Sequence, residues 1–221
     1  MFSFNKPIPV AARASRLSQA QVKEVFSALP SLSYTPHFVE SHGDLDQTRS
    51  LRTLGKCDFF TKEIDEKLLT GICRIAVHSA KDLPETLPEG LTIIALTEGL
   101  TSIDVLVLRE NETLEGLPSG AKIATSSVRR EEAVTKMRSD LTFIDLRGTI
   151  EKRLHLLETK EADGVVVAEA ALIRLGLHSI NRVVIPGETV EGQGRLAIVA
   201  RCGDHEMEAL FAPLDARAPL Q

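Results

Sequence analysis

The sequence predicts an α/β fold built as two lobes of similar size. Short apolar or β-branched runs alternate with amphipathic stretches, a pattern typical of sheets covered by helices. A length of 221 residues accommodates one large domain or two small ones. The composition, 43% hydrophobic and 26% charged, is that of a folded globular chain. A two-lobe α/β protein satisfies all three observations.

Ten short runs have the composition of buried strands. They are residues 8–12, 34–39, 75–77, 91–95, 104–108, 122–124, 142–144, 164–167, 182–184 and 195–200. Amphipathic spacing predicts helices between many of them. These are residues 17–29, 62–70, 128–137, 150–158 and 204–211. We assign 1–96 and 194–212 to a discontinuous first lobe and 97–193 to the second, because the last strand can return to the first lobe.

The charge and the aromatic content exclude several kinds of partner. The formal net charge is −5 and aromatic residues make up 4% of the chain, with no Trp. Nucleic acids and anionic membranes are bound by basic surfaces, so neither is an expected partner. No signal sequence or membrane-length apolar run is present, so we expect a cytoplasmic protein. The cysteines and histidines are scattered, and no metal site is predicted.

The segment 77–84 carries the best acid/base candidate. It reads VHSAKDLP and follows a buried strand, so its side chains face the crevice at the carboxyl edge of the sheet. Asp82, flanked by Ser79 and Lys81, is well placed there for proton transfer. The residues alone also allow a structural role, in which Asp82 caps the turn, His78 is a hydrogen-bonded core residue and Lys81 is solvated.

The segment 124–130, ATSSVRR, predicts an anion site where a helix begins. Free backbone N–H groups, the positive end of the helix dipole and the N-cap region around Ser127 attract carboxylate or phosphate. Arg129 and Arg130 strengthen that attraction. The alternative is a capped helix whose arginines pair with Glu131, Glu132 or surface acids. Arginine in a first turn opposes the helix dipole, which disfavours this alternative.

A third segment, IDLRGT at 144–149, repeats the arrangement. Arg147 follows a strand, Thr149 caps the next helix, and Arg153 lies one turn later. Further cations that we place just past buried strands are Arg174 and, with Ser15, Arg13. In an acidic protein, this arrangement concentrates positive potential in one crevice, where it attracts small anions.

Taken in order, six strings resemble the porphobilinogen deaminase (hydroxymethylbilane synthase) family. They are AARASRLSQAQ, KEIDEKLLTGICRIAVHSAKDLPETLPEGL, GAKIATSSVRR, FIDLRGTIEKRL, DGVVVAEAALIRLGL and EGQGRLAIVAR. The resemblance extends from Val10 to Arg201. It implies two periplasmic-binding-protein-like (type II) lobes, with mixed β-sheets flanked by helices, followed by a smaller α+β domain. We expect that third domain to be absent or truncated, with 213–221 as its remnant.

The resemblance implies an enzyme that deaminates four porphobilinogen molecules and joins them head to tail into hydroxymethylbilane, an intermediate of porphyrin and heme biosynthesis. By the same matching, Asp82 is the catalytic residue. The matched residues that bind carboxylates or lie beside the catalytic group are Arg13, Ser15, Lys81, Ser127, Arg129, Arg130, Arg147, Arg153 and Arg174. The implied partner is the small-molecule substrate porphobilinogen. We expect the protein to be a monomer.

Two departures from the family concern its cofactor and a loop. The resemblance implies a dipyrromethane cofactor held by a cysteine of the third domain, but Cys57, Cys73 and Cys202 do not match that attachment position. The family's Gly-Gly-Lys-Gly loop is LGKCD at residues 54–58 here. The chain is therefore a natural short form, a fragment, or a non-catalytic two-lobe module that binds anions or tetrapyrroles. We expect parts of 206–221 to be exposed, mobile or covered by a partner chain.

Overall fold

The computed structural model describes residues 6–46, 52 and 58–217. Its strands are β1 Ile8–Arg13, β2 Tyr34–Val39, β3 Ile75–Ser79, β4 Leu91–Leu96, β5 Asp104–Val107, β6 Lys122–Ala124, β7 Thr142–Ile144, β8 Gly164–Ala168, β9 Arg182–Ile185 and β10 Leu196–Arg201. Its α-helices are α1 Arg16–Ser27, α2 His42–Leu45, α3 Lys62–Leu69, α4 Val128–Met137, α5 Ile150–Glu158, α6 Glu169–Arg174 and α7 His205–Phe211.

The chain divides into two compact units. The first contains residues 1–45, 56–100 and 195–221, and the second contains 46–55 and 101–194. Segment 46–55, which the sequence analysis assigned to the first lobe, thus groups with the second unit. Its described residues explain why: the Asp46 carbonyl accepts a hydrogen bond from Arg147, and Arg52 pairs with Asp145.

The first unit is built on a mixed five-stranded sheet in the order β2-β1-β3-β10-β4. Strand β1 is parallel to β2 and β3, whereas β10 is antiparallel to β3 and β4. Successive side chains point to opposite faces of a strand. Val10 therefore packs in a cluster with Phe26 and Phe211, while Ala11 packs with Ile64 in the cluster on the other face. Helices α1 and α7 contribute to the first cluster and α3 to the second.

The second unit has a mixed sheet of the order β7-β6-β8-β5-β9. Strand β6 is parallel to β7 and β8, and β5 is antiparallel to β8 and β9. Buried Ile123, Val134 and Val166 form part of one core cluster, which joins α4 to the sheet. Mixed sheets flanked by helices confirm the predicted fold class.

All ten predicted strands are present, several with bounds shifted by one or two residues. The prediction missed two short helices. Helix α2 has only four residues, too few to show a helical period, and α6 directly follows β8 within one apolar run. Arg174 is consequently the last residue of α6, and its predicted position just past a strand is wrong.

The chain end is more firmly held than the sequence predicted. Met207 and Phe211 are fully buried in the core of the first unit, although Glu206 and Ala209 on the same helix are exposed. Beyond α7, the Asp215 carboxylate accepts a hydrogen bond from the Leu96 N–H at 3.0 Å. The apolar spacing of Met207 and Phe211 explains this packing, because residues four apart share one helix face. Residues 218–221 lie outside the described part.

One buried carboxylate of the first unit is without a partner. Asp65 on α3 is 2% exposed, and neither of its oxygens accepts a hydrogen bond from any described residue. Burial raises the pKa of Asp65 to about 6. The nearby Thr61 hydroxyl lowers this pKa more weakly, and the charge of Asp58 raises it further. Folding therefore makes this carboxyl harder to ionise.

We predict that Asp65→Asn stabilises the protein at alkaline pH. A carboxyl whose pKa is raised by folding stabilises the folded state below the pKa of the unfolded chain, about 3.9, and this contribution is lost as the pH rises through about 6. The gain in the free energy of unfolding should be about 3 kcal/mol at pH 8 and vanish below about pH 4. Denaturant unfolding across pH measures it.

The matched control is Glu66→Gln, which removes an exposed carboxylate from the same helix. It should leave the pH dependence of stability close to that of the unaltered chain. Equal gains at pH 4 and pH 8 for Asp65→Asn would contradict a raised pKa.

Candidate functional site

The parallel strands β1 and β3 are neighbours, so their carboxyl ends lie at the same edge of the first sheet. Arg13 ends β1 and Ser79 ends β3. The next three residues, Ala80–Asp82, form a 3-10 turn that begins directly at this edge. The fold thus brings the predicted residues of the first unit to one edge of its sheet.

Asp82 is half-buried and makes no hydrogen bond or ion pair with any residue that the structure describes. No side chain caps the turn in which it lies. Asp82 therefore does not cap this turn. Its carboxylate is left available for a ligand or for proton transfer, and Lys81 beside it is also half-buried.

His78 lies beneath this turn and is 5% exposed. Burial lowers the pKa of His78 to about 4, while the Asp82 charge acts in the opposite direction and the Arg13 charge adds to the lowering. The imidazole is therefore neutral at pH 7. Its Nε2 has no hydrogen-bond partner among the described residues, so the expectation of a hydrogen-bonded core histidine fails at that atom.

Arg13 is held by a carboxylate that the sequence analysis did not single out. Its Nε donates to Asp44 Oδ2 at 3.2 Å, and its Nη2 pairs with the other oxygen. The Ser41 N–H and hydroxyl also donate to Asp44, and the guanidinium lies 4.6 Å from the centre of the Phe60 ring. Burial disfavours the charged form of Asp44, but Arg13 and Ser41 outweigh it and hold the pKa of that carboxyl below its usual value.

Two hydroxyl groups at the predicted sites act as helix caps. The Ser15 hydroxyl accepts a hydrogen bond from the Ser18 N–H at 3.2 Å at the start of α1. The Thr149 hydroxyl accepts one from the Lys152 N–H at 3.4 Å at the start of α5, as predicted. Ser127 differs, because its side chain does not cap α4. Its hydroxyl is not committed to the helix that it precedes.

In the second unit, β6, β7 and β8 run parallel and their carboxyl ends again share an edge. Ser126 joins two of these ends: its hydroxyl donates to the Leu146 carbonyl at 2.8 Å and accepts from the Leu146 N–H at 2.7 Å. This brings the segments that follow β6 and β7 together, as the sequence predicted for two anion-binding turns.

Arg129 and Arg130, in the first turn of α4, both pair with Asp104. The Nη2 atoms lie 2.5 and 2.6 Å from the two carboxylate oxygens, and the Asp104 side chain is 1% exposed. Burial opposes ionisation of Asp104, but the two guanidinium groups hold its pKa below the usual value. The predicted alternative had these arginines pair with Glu131, Glu132 or surface acids. Their partner is instead a buried residue 25 positions away from Arg129.

The remaining predicted arginines are anchored to backbone carbonyl groups. Arg147 donates to the Asp46 carbonyl, Arg153 Nε to Gly148 at 2.9 Å, and Arg174 Nη2 to Gly194 at 2.8 Å. These backbone bonds help to orient the three guanidinium groups.

Arg52 is a further cation of this edge that the sequence analysis missed. It pairs with Glu131 and with Asp145, and its Nη2 donates to the Thr125 carbonyl at 3.2 Å. Asp44, Asp104 and Arg52 were missed for the same reason. Each meets its partner across a large sequence separation, which no local motif reveals.

The donors present suit a ligand rich in carboxylates. Guanidinium groups bind carboxylates in a fixed, often bidentate geometry, and hydroxyl groups add hydrogen bonds. Dipyrromethane, which carries acetate and propionate groups, fits this donor set. Of the described cysteines, Cys73 is buried, which raises its pKa, and Cys202 is exposed. The altered loop at 54–57, with Cys57, lies outside the described residues.

Within residues 6–46, 52 and 58–217, no group of three or more His, Cys, Asp or Glu side chains is placed to hold a metal ion. The same residues contain no helix that has both the length and the apolar character for crossing a membrane.

Two mixed five-stranded sheets flanked by helices place the chain among the two-unit α/β proteins. The fold resembles that of periplasmic binding proteins. A periplasmic substrate-binding protein of an ABC transporter from Coxiella burnetii covers 94% of this chain with 91% of its own, at a TM-score of 0.56 and 15% identity. The methionine binding protein MetQ covers 94% with 89% of its own, at 0.56 and 14%. These likenesses concern the fold alone.

The chain belongs to the porphobilinogen deaminase family. Residues 8–209 match the family described as "Porphobilinogen deaminase, dipyromethane cofactor binding domain". The porphobilinogen deaminase of Roseiflexus sp. (strain RS-1) is 38% identical over 216 residues, which are 95% of this chain and 71% of the relative. A probable porphobilinogen deaminase from Chlamydia pneumoniae is 35% identical over 213 residues, 95% of this chain and 90% of the relative.

Gly194, whose carbonyl anchors Arg174, is placed where no side chain fits. Its φ is +82°, and a Cβ at this position would lie 2.0 Å from the Thr101 carbonyl oxygen. Gly120 has a similar φ of +76°, but no atom lies within 4 Å of its own would-be Cβ. The two glycines thus separate the cost of a positive φ from the cost of a backbone clash.

We predict that Gly194→Ala destabilises the protein by clearly more than Gly120→Ala. The control variant incurs the cost of left-handed backbone alone, about 1–2 kcal/mol, whereas Gly194→Ala must also displace the Thr101 peptide. Denaturant unfolding of both variants measures the difference. Equal losses of stability would show that the close approach of these two backbones is not required.

Proposed function

We propose that this chain catalyses the stepwise deamination and head-to-tail condensation of four porphobilinogen molecules to hydroxymethylbilane. The main support is the family match across residues 8–209. A second support is the Asp82 carboxylate, which makes no hydrogen bond with a described residue and lies at the carboxyl edge of the first sheet. In each cycle, the C–N bond of the aminomethyl group breaks and ammonia leaves. A C–C bond then forms between the methylene carbon and a pyrrole carbon, which loses a proton. After the fourth coupling, one water molecule supplies the terminal hydroxyl group as the tetrapyrrole is released.

Asp82 supplies the proton chemistry in this proposal. Its protonated form donates to the departing amine, and its carboxylate then stabilises the cationic azafulvene and accepts the proton released after coupling. The absence of any hydrogen bond from described residues supports this role, since the carboxylate is left to interact with the substrate. Neutral His78 beneath it adds no competing charge at pH 7.

The cationic residues of the second unit bind the acetate and propionate groups. Arg147, Arg153 and Arg174 suit this role because their contacts with backbone carbonyl groups help to orient their guanidinium groups. Arg129 and Arg130 share one carboxylate partner between two positive charges, so the pair retains a net positive charge. In the first unit, Arg13 and Lys81 bind substrate beside Asp82, and the Ser15 and Ser127 hydroxyl groups complete the set.

The same cationic residues would hold dipyrromethane, which when bound supplies the pyrrole carbon to which the first substrate unit is joined. No described cysteine matches the covalent attachment position, so we infer that arginine–carboxylate contacts contribute to its retention. Intact mass combined with the Ehrlich colour reaction on the purified protein would detect it.

The alternative, a non-catalytic two-lobe module that binds anions or tetrapyrroles, finds no support among the sequence relatives. Both relatives described above are named as deaminases. A cytoplasmic location and a monomeric state remain predictions from the sequence.

We predict that Asp82→Asn lowers porphobilinogen turnover at least about 100-fold, because general acid–base catalysis contributes about that factor or more. The isosteric amide neither donates a proton to the amine nor accepts one from the pyrrole carbon. Substrate consumption, with uroporphyrin measured after oxidation, gives the rate. Circular dichroism and thermal unfolding should match those of the unaltered chain.

Glu85→Gln is the matched control, since Glu85 is an exposed acid three residues further along. It should turn over porphobilinogen at close to the unaltered rate. Near-normal turnover by Asp82→Asn would remove Asp82 from the mechanism, and an unaltered chain without turnover would favour the binding module.

A further inference from the structure

Asp104 is the first residue of β5 and its carboxylate is surrounded by donors. It accepts hydrogen bonds from Arg129 at 2.5 Å, from Arg130 at 2.6 Å and from Gln193 Nε2 at 3.0 Å. Strand β5 is antiparallel to β8 and pairs Asp104 with Ala168. Its amino end therefore lies at the edge where β8 carries its carboxyl end, and the aspartate reaches the arginines from within the sheet.

Gln193 fixes this carboxylate from the other side. It is 4% exposed, and its Nε2 donates both to the Ser102 carbonyl at 2.5 Å and to Asp104. Its Oε1 lies 3.5 Å from Arg130 Nη2. The amide thus joins the backbone before β5, the aspartate and an arginine in one buried network. Such networks restrict each member to one arrangement when all are satisfied.

The network leaves part of the Arg130 guanidinium uncommitted. Arg130 uses only Nη2 for these bonds, whereas Arg129 also donates from Nη1 to the Glu188 carbonyl at 2.8 Å. Two guanidinium charges face one carboxylate, so one positive charge is in excess. That excess lies in the first turn of α4, where the helix dipole also favours an anion.

We propose that Asp104 and Gln193 are positioning residues that hold Arg129 and Arg130 in the orientation required to bind a carboxylate of the substrate. The proposal rests on the proposed function for the identity of that substrate. Neither residue needs to touch the substrate, because both act through the guanidinium groups.

The direction in which Asp104→Asn changes the binding affinity distinguishes a positioning role from simple neutralisation of charge. If Asp104 only cancelled positive charge, its replacement by Asn would leave a more positive site and binding would tighten. If it positions the arginines, Asn would weaken binding, because an amide has one acceptor oxygen where the carboxylate serves two guanidinium groups, and its NH₂ repels one of them.

The experiment measures KM and kcat for porphobilinogen with the unaltered chain, Asp104→Asn and Gln193→Met. Calorimetric binding of porphobilinogen to each protein, measured with Asp82→Asn added so that turnover is lost, gives the affinity separately. We expect KM and Kd to rise at least about tenfold in Asp104→Asn, and several-fold in Gln193→Met, with kcat changing much less. Asp163→Asn, which breaks the Arg109 ion pair elsewhere in the second unit, should lower stability without raising KM.

An unchanged or lowered KM and Kd in folded Asp104→Asn would overturn the proposal. If that variant fails to fold, the KM and Kd of Gln193→Met test the proposal in its place. If the unaltered chain binds porphobilinogen but does not consume it, the proposed function fails, while the affinities of the variants still test the positioning role. A rise in KM for Asp163→Asn equal to that of Asp104→Asn would assign the effect to general destabilisation and overturn the proposal.

Discussion

The direction of the strands determines where the chemistry of this protein lies. Parallel neighbours bring the carboxyl ends of β1 and β3 together in one sheet, and those of β6, β7 and β8 in the other. Each antiparallel strand places its amino end at the same edge. Arg129 and Arg130, in the helix that follows the parallel strand β6, therefore meet an acidic residue, Asp104, supplied by an antiparallel strand. A purely parallel sheet would not bring this aspartate to the arginines.

The contacts of the arginines follow from this arrangement of parallel and antiparallel strands. Two kinds of contact hold the predicted arginines. Arg129 and Arg130 share the Asp104 carboxylate, whereas Arg147, Arg153 and Arg174 donate to backbone carbonyl groups. A chain with a net charge of −5 can therefore still hold several arginines where two parallel strands end. The net charge influences solubility, whereas the positions of the charged side chains and their ion-pair partners determine which ligands are recognised.

The sequence revealed the local elements better than the long-range pairs. Runs such as 164–167 are strands because burial on both faces selects continuous β-branched residues, and the cap at Thr149 follows from a hydroxyl placed before an apolar helix. Helix α2 is too short to show a period. The partners of the arginines were hidden because Asp44 lies 31 residues from Arg13, and only the fold brings the two together. The packing of Phe211 into the first unit likewise needed the position of β10.

The place of β10 within the first sheet has a consequence for how the chain acquires its structure. Strands β3 and β4 are both made early, yet each pairs with β10 and not with the other. A ribosome must therefore deliver residues 101–194 before the first unit can close its hydrogen-bond ladder. Until then, β3 and β4 expose unpaired edges that invite wrong partners. The second unit, with 101–194 contiguous, has most of its contacts within reach as it emerges, which favours an order of assembly opposite to the order of the chain.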